Sequence, residues 1–450
     1  MTKYLIPFLL LTTIIGCNTP NKTKYTYFGG KIINPKGCYV ILSDHKNFRD
    51  TIMLSKDNTF MGKYENFKEG LYIFDHGPEY QYVYIQPSDS LLFRLNTWDF
   101  DESLVFSGKN AERNNLLIET FLKHEEDKRR LFDNKKLEKF KFISKIDSLL
   151  LSKQSILKKY KKEHSEEPLE FLDILNISLT YPVYSNLETY SIDNIENEEP
   201  LDSNYFSYRD KIELGRDSLM FYGPYYRYVI NKIYNEAYLK GSDEKSQIFV
   251  KSLLNNINQE LTDEKIKDRF LYSTVVYHFN KRTKSNSYKD VFHRYFELSR
   301  DIENKKKIQR LINDIKQIKI DKRIPDFKLE APTGNWVDVS KIIRNKKTVI
   351  FFKSQKVNSR ERIASRVNYF IKKYPEINFI LVNSRVKGKF TKNVPIRYQY
   401  KIPENSKAFN FLTSEFSRLV IVDENGIVKN DYTSTSAYDI EQQFKELQKK

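Results

Sequence analysis

Lys356 and Ser359 stand three residues apart in KVNS, between a β-branched and aromatic run, Thr348 to Phe352, and a stretch of helical spacing, Ser359 to Lys373. An amine beside a hydroxyl is the minimum for nucleophilic catalysis in which lysine activates serine. Such a pair also needs an orienting group and donors for an oxyanion, and the sequence names neither. The same residues read equally as a helix start, with Asn358 as cap and Glu361, three residues on, as its reciprocal partner. A third reading keeps the segment as a binding face lined by Lys356 and Ser359.

Other residue types capable of chemistry are scattered. His45, His76, His124, His164, His278 and His293 show no metal-ligand spacing. His124-Glu125-Glu126 lacks the second histidine of a zincin helix. No phosphate loop, dinucleotide fingerprint or G-x-S-x-G elbow occurs, and no pattern pairs the carboxylates. The expectation is no catalytic residue, no metal and no cofactor. The chain holds two cysteines, Cys17 and Cys38.

The elements that would position these residues follow from periodicity. Alternation and turn residues predict antiparallel β-structure over residues 25–111: TYFGGKII, CYVILS, RDTIML, TFMGKYE, GLYIFDH, YQYVYI and SLLFRLN, the makings of a small sandwich. Residues 112–322 change to helical spacing, broken at Ser165–Pro168, Ile195–Asn204 and Tyr222–Pro224. Helices are expected over Tyr225–Leu239, Glu244–Leu261, Asp263–Asn280 and Lys289–Ile318. Tyr222, Tyr225, Tyr226, Tyr228, Tyr234 and Tyr238 crowd this region, as core residues or as rings able to stack on a sugar or peptide. Residues 323–450 give strand (Thr348–Phe352), helix (Ser359–Lys373), strand (Asn378–Val382), two hairpinned strands (Leu419–Val422 and IVKNDY) and a last helix (Ala437–Gln448). A hairpin turn at Thr333-Gly334 precedes them. That order is the thioredoxin arrangement, so the fold class is multidomain α+β: sandwich, helical middle, thioredoxin-like α/β domain.

Ile14-Ile15-Gly16-Cys17 follows Lys3 and the apolar run Tyr4 to Ile15, which is short for a membrane span. It resembles the lipobox of bacterial lipoproteins. The resemblance implies that residues 1–17 are a signal peptide and that Cys17, carrying palmitate-type lipid, becomes the first mature residue and ties the chain to a membrane. Asn18, rather than Asp, points to the outer membrane of a diderm envelope, with periplasmic exposure. Cys38 would then lack a disulfide partner. Net charge is +17, but the basic runs at 128–130, 158–162 and 305–307 are interleaved with acids and read as solvated helix faces. An exported protein is not expected to meet nucleic acid; contact with an anionic membrane is the alternative.

GGKIINPKGCYVIL, KDNTF, YIQPSDSLLF (Ser88 where a Gly is usual) and FSGKNAERNNLL (Asn114 or Asn115 at the usual Asn) resemble the N-terminal β-domain of bacterial lipoproteins that end in a thioredoxin domain. IPDFKLEAPTGNWVDVSKI, TVIFF and VIVDENGIV resemble thiol–disulfide oxidoreductases of the TlpA/ResA type. Aligning Phe351-Phe352 with that family's Phe-Trp puts its CxxC at Lys356 to Ser359 and its cis-proline at Ser417. Exchange needs one thiolate to attack and a second thiol to resolve, so the substitutions imply a domain without redox chemistry. Lys356, Ser359 and Ser417 become a possible binding face. The leading reading is an envelope protein that binds or scaffolds a protein or peptide. The alternatives are an oxidoreductase of the family and a structural component contacting the membrane.

Overall fold

The computed structural model describes residues 25–132, 136–195, 201–240, 243–284, 287–353, 360–383 and 390–449. They form two compact units, one of residues up to 184 with 221–225, the other of residues 185–220 and 226–450.

The first unit begins with β1 (Tyr25–Ile33), β2 (Tyr39–Ser43), β3 (Arg49–Met53), β4 (Thr59–Glu65), β5 (Gly70–His76), β6 (Glu79–Ile85), β7 (Ser90–Asn96), the short α1 (Phe100–Ser103) and β8 (Val105–Lys109). They make two four-stranded sheets, β4-β1-β7-β8 and β3-β2-β5-β6. Alternation sets what is buried: Phe28 and Ile32 from β1, Leu91, Phe93 and Leu95 from β7, and Val40 and Leu42 from β2 enter one core. Phe74 meets Phe28 and Phe93 at ring separations of 5.9 and 4.8 Å. Fully burying each such side chain contributes about 2 kcal/mol. The turn at SKDN is built by Asp57, whose carboxylate accepts from the hydroxyls of Ser55 and Thr59. These bonds hold it down at about 2.

Two features depart from the sequence reading. The pair β1–β7 is parallel, with Phe28 opposite Leu91, in sheets otherwise antiparallel. Gly30 permits this approach, because a Cβ there would lie 2.1 Å from the Phe93 carbonyl oxygen. The extra strand β8 pairs with β7 through Phe93–Phe106.

Helices follow: α2 (Ala111–Phe132), α3 (Lys139–Glu163), α4 (Leu169–Asp193), α5 (Gly223–Leu239), α6 (Gln247–Glu260), α7 (Glu264–Lys281), α8 (Lys289–Leu298) and α9 (Ile302–Gln317). The one helix expected over Lys289–Ile318 is two. Asp268 accepts from the Ser299 hydroxyl and the Arg300 amide, and Asp301 caps α9 by accepting from the Asn304 amide. Those side-chain bonds replace the helical ones at the break. The crowded tyrosines are mostly packed: Tyr222, Tyr225 and Tyr228 are buried, and Tyr238 lies 4.6 Å from Phe249.

In the second unit β9 (Lys328–Glu330), β10 (Trp336–Asp338), α10 (Val339–Ile343), β11 (Thr348–Lys353), α11 (Arg360–Lys373), β12 (Asn378–Asn383), β13 (Gln399–Lys401), β14 (Arg418–Val422), β15 (Val428–Thr433) and α12 (Ile440–Lys449) form a mixed sheet of order β10-β9-β13-β12-β11-β14-β15 with helices. β12 runs parallel to β11, while β14 and β15 form an antiparallel hairpin beside it. The central strands are apolar along their middles because both faces are covered. Ile350, Phe352, Ile380 and Val420 enter one core; Val349, Phe351, Leu381 and Leu419 enter the other, with Val367 and Phe370 of α11 and Phe444 of α12.

Candidate functional site

The β11–β14 register pairs Phe352 with Arg418, so Ser417 comes level with Lys353 at the carboxyl end of β11. Residues 354–359, with Lys356 and Ser359, come next in the chain. Those two and Cys17 lie outside the described residues, and Ser417 is the member of the expected face that the structure describes. Ser417 is partly buried, and its carbonyl accepts from the Tyr432 hydroxyl at 3.3 Å.

Two buried cations stand beside it, neither singled out by the sequence. Lys353 donates to the Thr391 hydroxyl at 2.9 Å. Arg418 is 1 % exposed and donates to the carbonyls of Phe411 (2.6 Å) and Asp314 (3.4 Å). Its guanidinium lies 5.4–5.6 Å from the rings of Phe411, Phe352 and Tyr432, and its Nε has no partner among the described residues. Burial pushes the guanidinium pKa down, opposed by Tyr432 and Asp314. The Asp314 carboxylate is turned elsewhere, accepting from the Thr413 amide and hydroxyl and the Ser414 amide. This corner carries hydroxyls, carbonyls and cations. No nucleophile–base pair forms among its described residues.

A cavity of about 520 Å³ opens on the other side of Tyr432, between α7, α8, α9 and the sheet-edge strand β15. Part of its wall is apolar, with Phe279, Phe292, Phe296, Ile312 and Ile315. Arg282 projects from the loop after α7. It donates to the carbonyls of Tyr432 (2.5 Å) and Phe279 (2.8 Å) and lies 3.7 Å over the Phe279 ring. Burial lowers its pKa, while Tyr432 and Asp431 oppose the shift. Asp431 is pushed up by burial, and Arg282 pulls it back. Sequence reasoning missed this site because its residues come from four elements with no shared motif.

The histidines are placed structurally. His76 accepts from the Lys36 amide at 2.9 Å, and buried His278 meets the Tyr234 hydroxyl at 3.3 Å. Among the described residues no cluster of His, Cys, Asp or Glu could hold a metal, and no helix is long and apolar enough to cross a membrane. Cys38 is exposed in the first unit, and residues 323–450 contain no cysteine.

No protein-family model matches the chain, and no curated protein matches it. Solved structures do. A chain from Bacteroides vulgatus, assigned as a thiol-disulfide oxidoreductase, is 16% identical, with 29% of this chain and 98% of that one covered at a TM-score of 0.25. The exposed lipoprotein thioredoxin of Streptococcus pneumoniae is 18% identical, with 27% and 100% covered at 0.22. A thioredoxin-like protein from Bacteroides caccae is 11% identical, with 58% and 93% covered at 0.27. This mixed α/β, multidomain chain thus resembles thioredoxin-like structures over part of its length.

Proposed function

We propose that this chain is a lipid-anchored protein of the bacterial envelope whose thioredoxin-like domain binds or scaffolds a protein or peptide without thiol chemistry. The cysteine census carries the reading. Positions 356 and 359, which align with the family's CxxC, hold Lys and Ser, and residues 323–450 contain no thiol. Disulfide exchange passes through a mixed disulfide between two sulfurs, and a serine hydroxyl forms none. Cys38 is exposed, and the chain offers no second thiol to resolve an adduct on it once Cys17 is acylated. The anchor rests on Cys17 and the apolar run before it. The binding face would centre on Ser417, and the alignment adds Lys356 and Ser359 to it.

Insulin reduction tests the first half. The mature chain should give no turnover with dithiothreitol above that of its Cys38→Ser variant; turnover that this substitution abolishes defeats the reading. For the anchor, labelled palmitate should enter the wild type and be lost in Cys17→Ala.

A further inference from the structure

The cavity beside β15 carries an unmet demand for an anion. Arg282 forms no ion pair among the described residues; two of its five N–H donors go to carbonyls. Arg282 is only partly buried, so its remaining donors stay open to a charge-assisted bond from an anion entering the cavity. Asp431, the one acid in the lining, makes no ion pair with it, and burial disfavours its own charge. Thr433 supplies an independent sign. It lines the cavity, is 3 % exposed, and its hydroxyl finds no partner among the described residues. Buried hydroxyls ordinarily have one. At the rim Lys284, Lys289 and Lys316 add positive charge, giving four cations to one carboxylate around the opening.

The rest of the lining asks for an apolar body. Phe292 and Phe296 on α8 face Ile312 and Ile315 on α9, and the volume of about 520 Å³ falls in the range of small-ligand sites. We propose that this cavity binds a single-chain acyl carboxylate, its tail between α8 and α9 and its headgroup held by Arg282 and Thr433. The site is separate from the Ser417 face, so either assignment can fail without the other.

Calorimetric titration of the chain from Asn18 onward with sodium dodecanoate, kept below its micellar concentration, tests this. Saturable one-to-one binding is expected, with dodecanol at least tenfold weaker and Thr433→Val weaker by several-fold. Ile312→Trp should fill the cavity and abolish binding. Because a tryptophan there can also disrupt folding, a diazirine-bearing acyl carboxylate is photolysed on the unsubstituted chain, where it should label Phe292, Phe296 or Ile312. Absence of saturable binding, equal affinity for the alcohol, or labelling confined to residues elsewhere overturns the proposal.

Discussion

The Tyr432 hydroxyl donates to the Ser417 carbonyl across 3.3 Å, and the Tyr432 carbonyl accepts from Arg282. One buried residue on β15 therefore touches both the strand corner of the expected binding face and the wall of the cavity. Tyr432→Phe deletes the first bond and keeps the ring between the two arginines. It should cost about 1 kcal/mol, read from the midpoint of urea denaturation.

Arg418 is expected to hold the corner by packing as much as by charge. Arg418→Ala leaves a hole among three rings and strips the Phe411 carbonyl of its donor, so it should destabilise by about 3 kcal/mol. Arg418→Met keeps the volume and removes a buried charge that has no ion pair among the described residues, and its loss should be clearly smaller. Equal losses in the two variants would show that the charge itself holds the corner.

Asn114 and Asn115, adjacent on α2, each clamp a strand. Asn114 is fully buried and bonds both backbone groups of Tyr84, at 2.7 and 2.9 Å; Asn115 does the same to Phe106, at 2.8 and 2.9 Å, in a half-buried setting. Asn114→Ala orphans a buried amide and carbonyl and should cost about 3 kcal/mol; Asn115→Ala, whose strand is nearer water, should cost about 1 kcal/mol. Chemical denaturation of the two variants side by side checks the order.

Much of the second unit was legible and its edges were not. The strands at Thr348 and Asn378 announce themselves as unbroken apolar runs because both sheet faces are covered. The hairpin announces itself through Asp423-Glu424-Asn425-Gly426, where Asp423 accepts from the Asn425 and Ile427 amides. β13 is three residues, QYK, too short for any period to emerge. Arg418 directly precedes the expected strand Leu419–Val422 and belongs to no motif, and only the fold surrounds it with rings. Arg282 lies far in sequence from Asp431 and Thr433, so the cavity could not be read before the chain was folded. The break at Ser299 was hidden because its partner, Asp268, belongs to another helix.

His278 should make the second unit sensitive to mild acid. Burial lowers its pKa from 6.5 to about 4, with Glu244 opposing and Lys281 assisting. Between those values the unfolded chain takes up a proton that the folded chain refuses. The contribution of the neutral ring is complete above pH 6.5 and is lost as pH falls toward 4. At pH 5 the loss should be about 2 kcal/mol relative to pH 7, and His278→Gln should lack it. Urea midpoints at the two pH values measure the difference.

The central claim is that the strand corner at Ser417, together with aligned positions 356 and 359, binds rather than reacts. Photo-crosslinking in cells from positions 359 and 417, with exposed Arg300 as the control position, tests it most directly. The account predicts a discrete protein or peptide adduct from 359 and 417 that is absent from 300. The same adducts from all three positions, or none from 359 and 417, would contradict it.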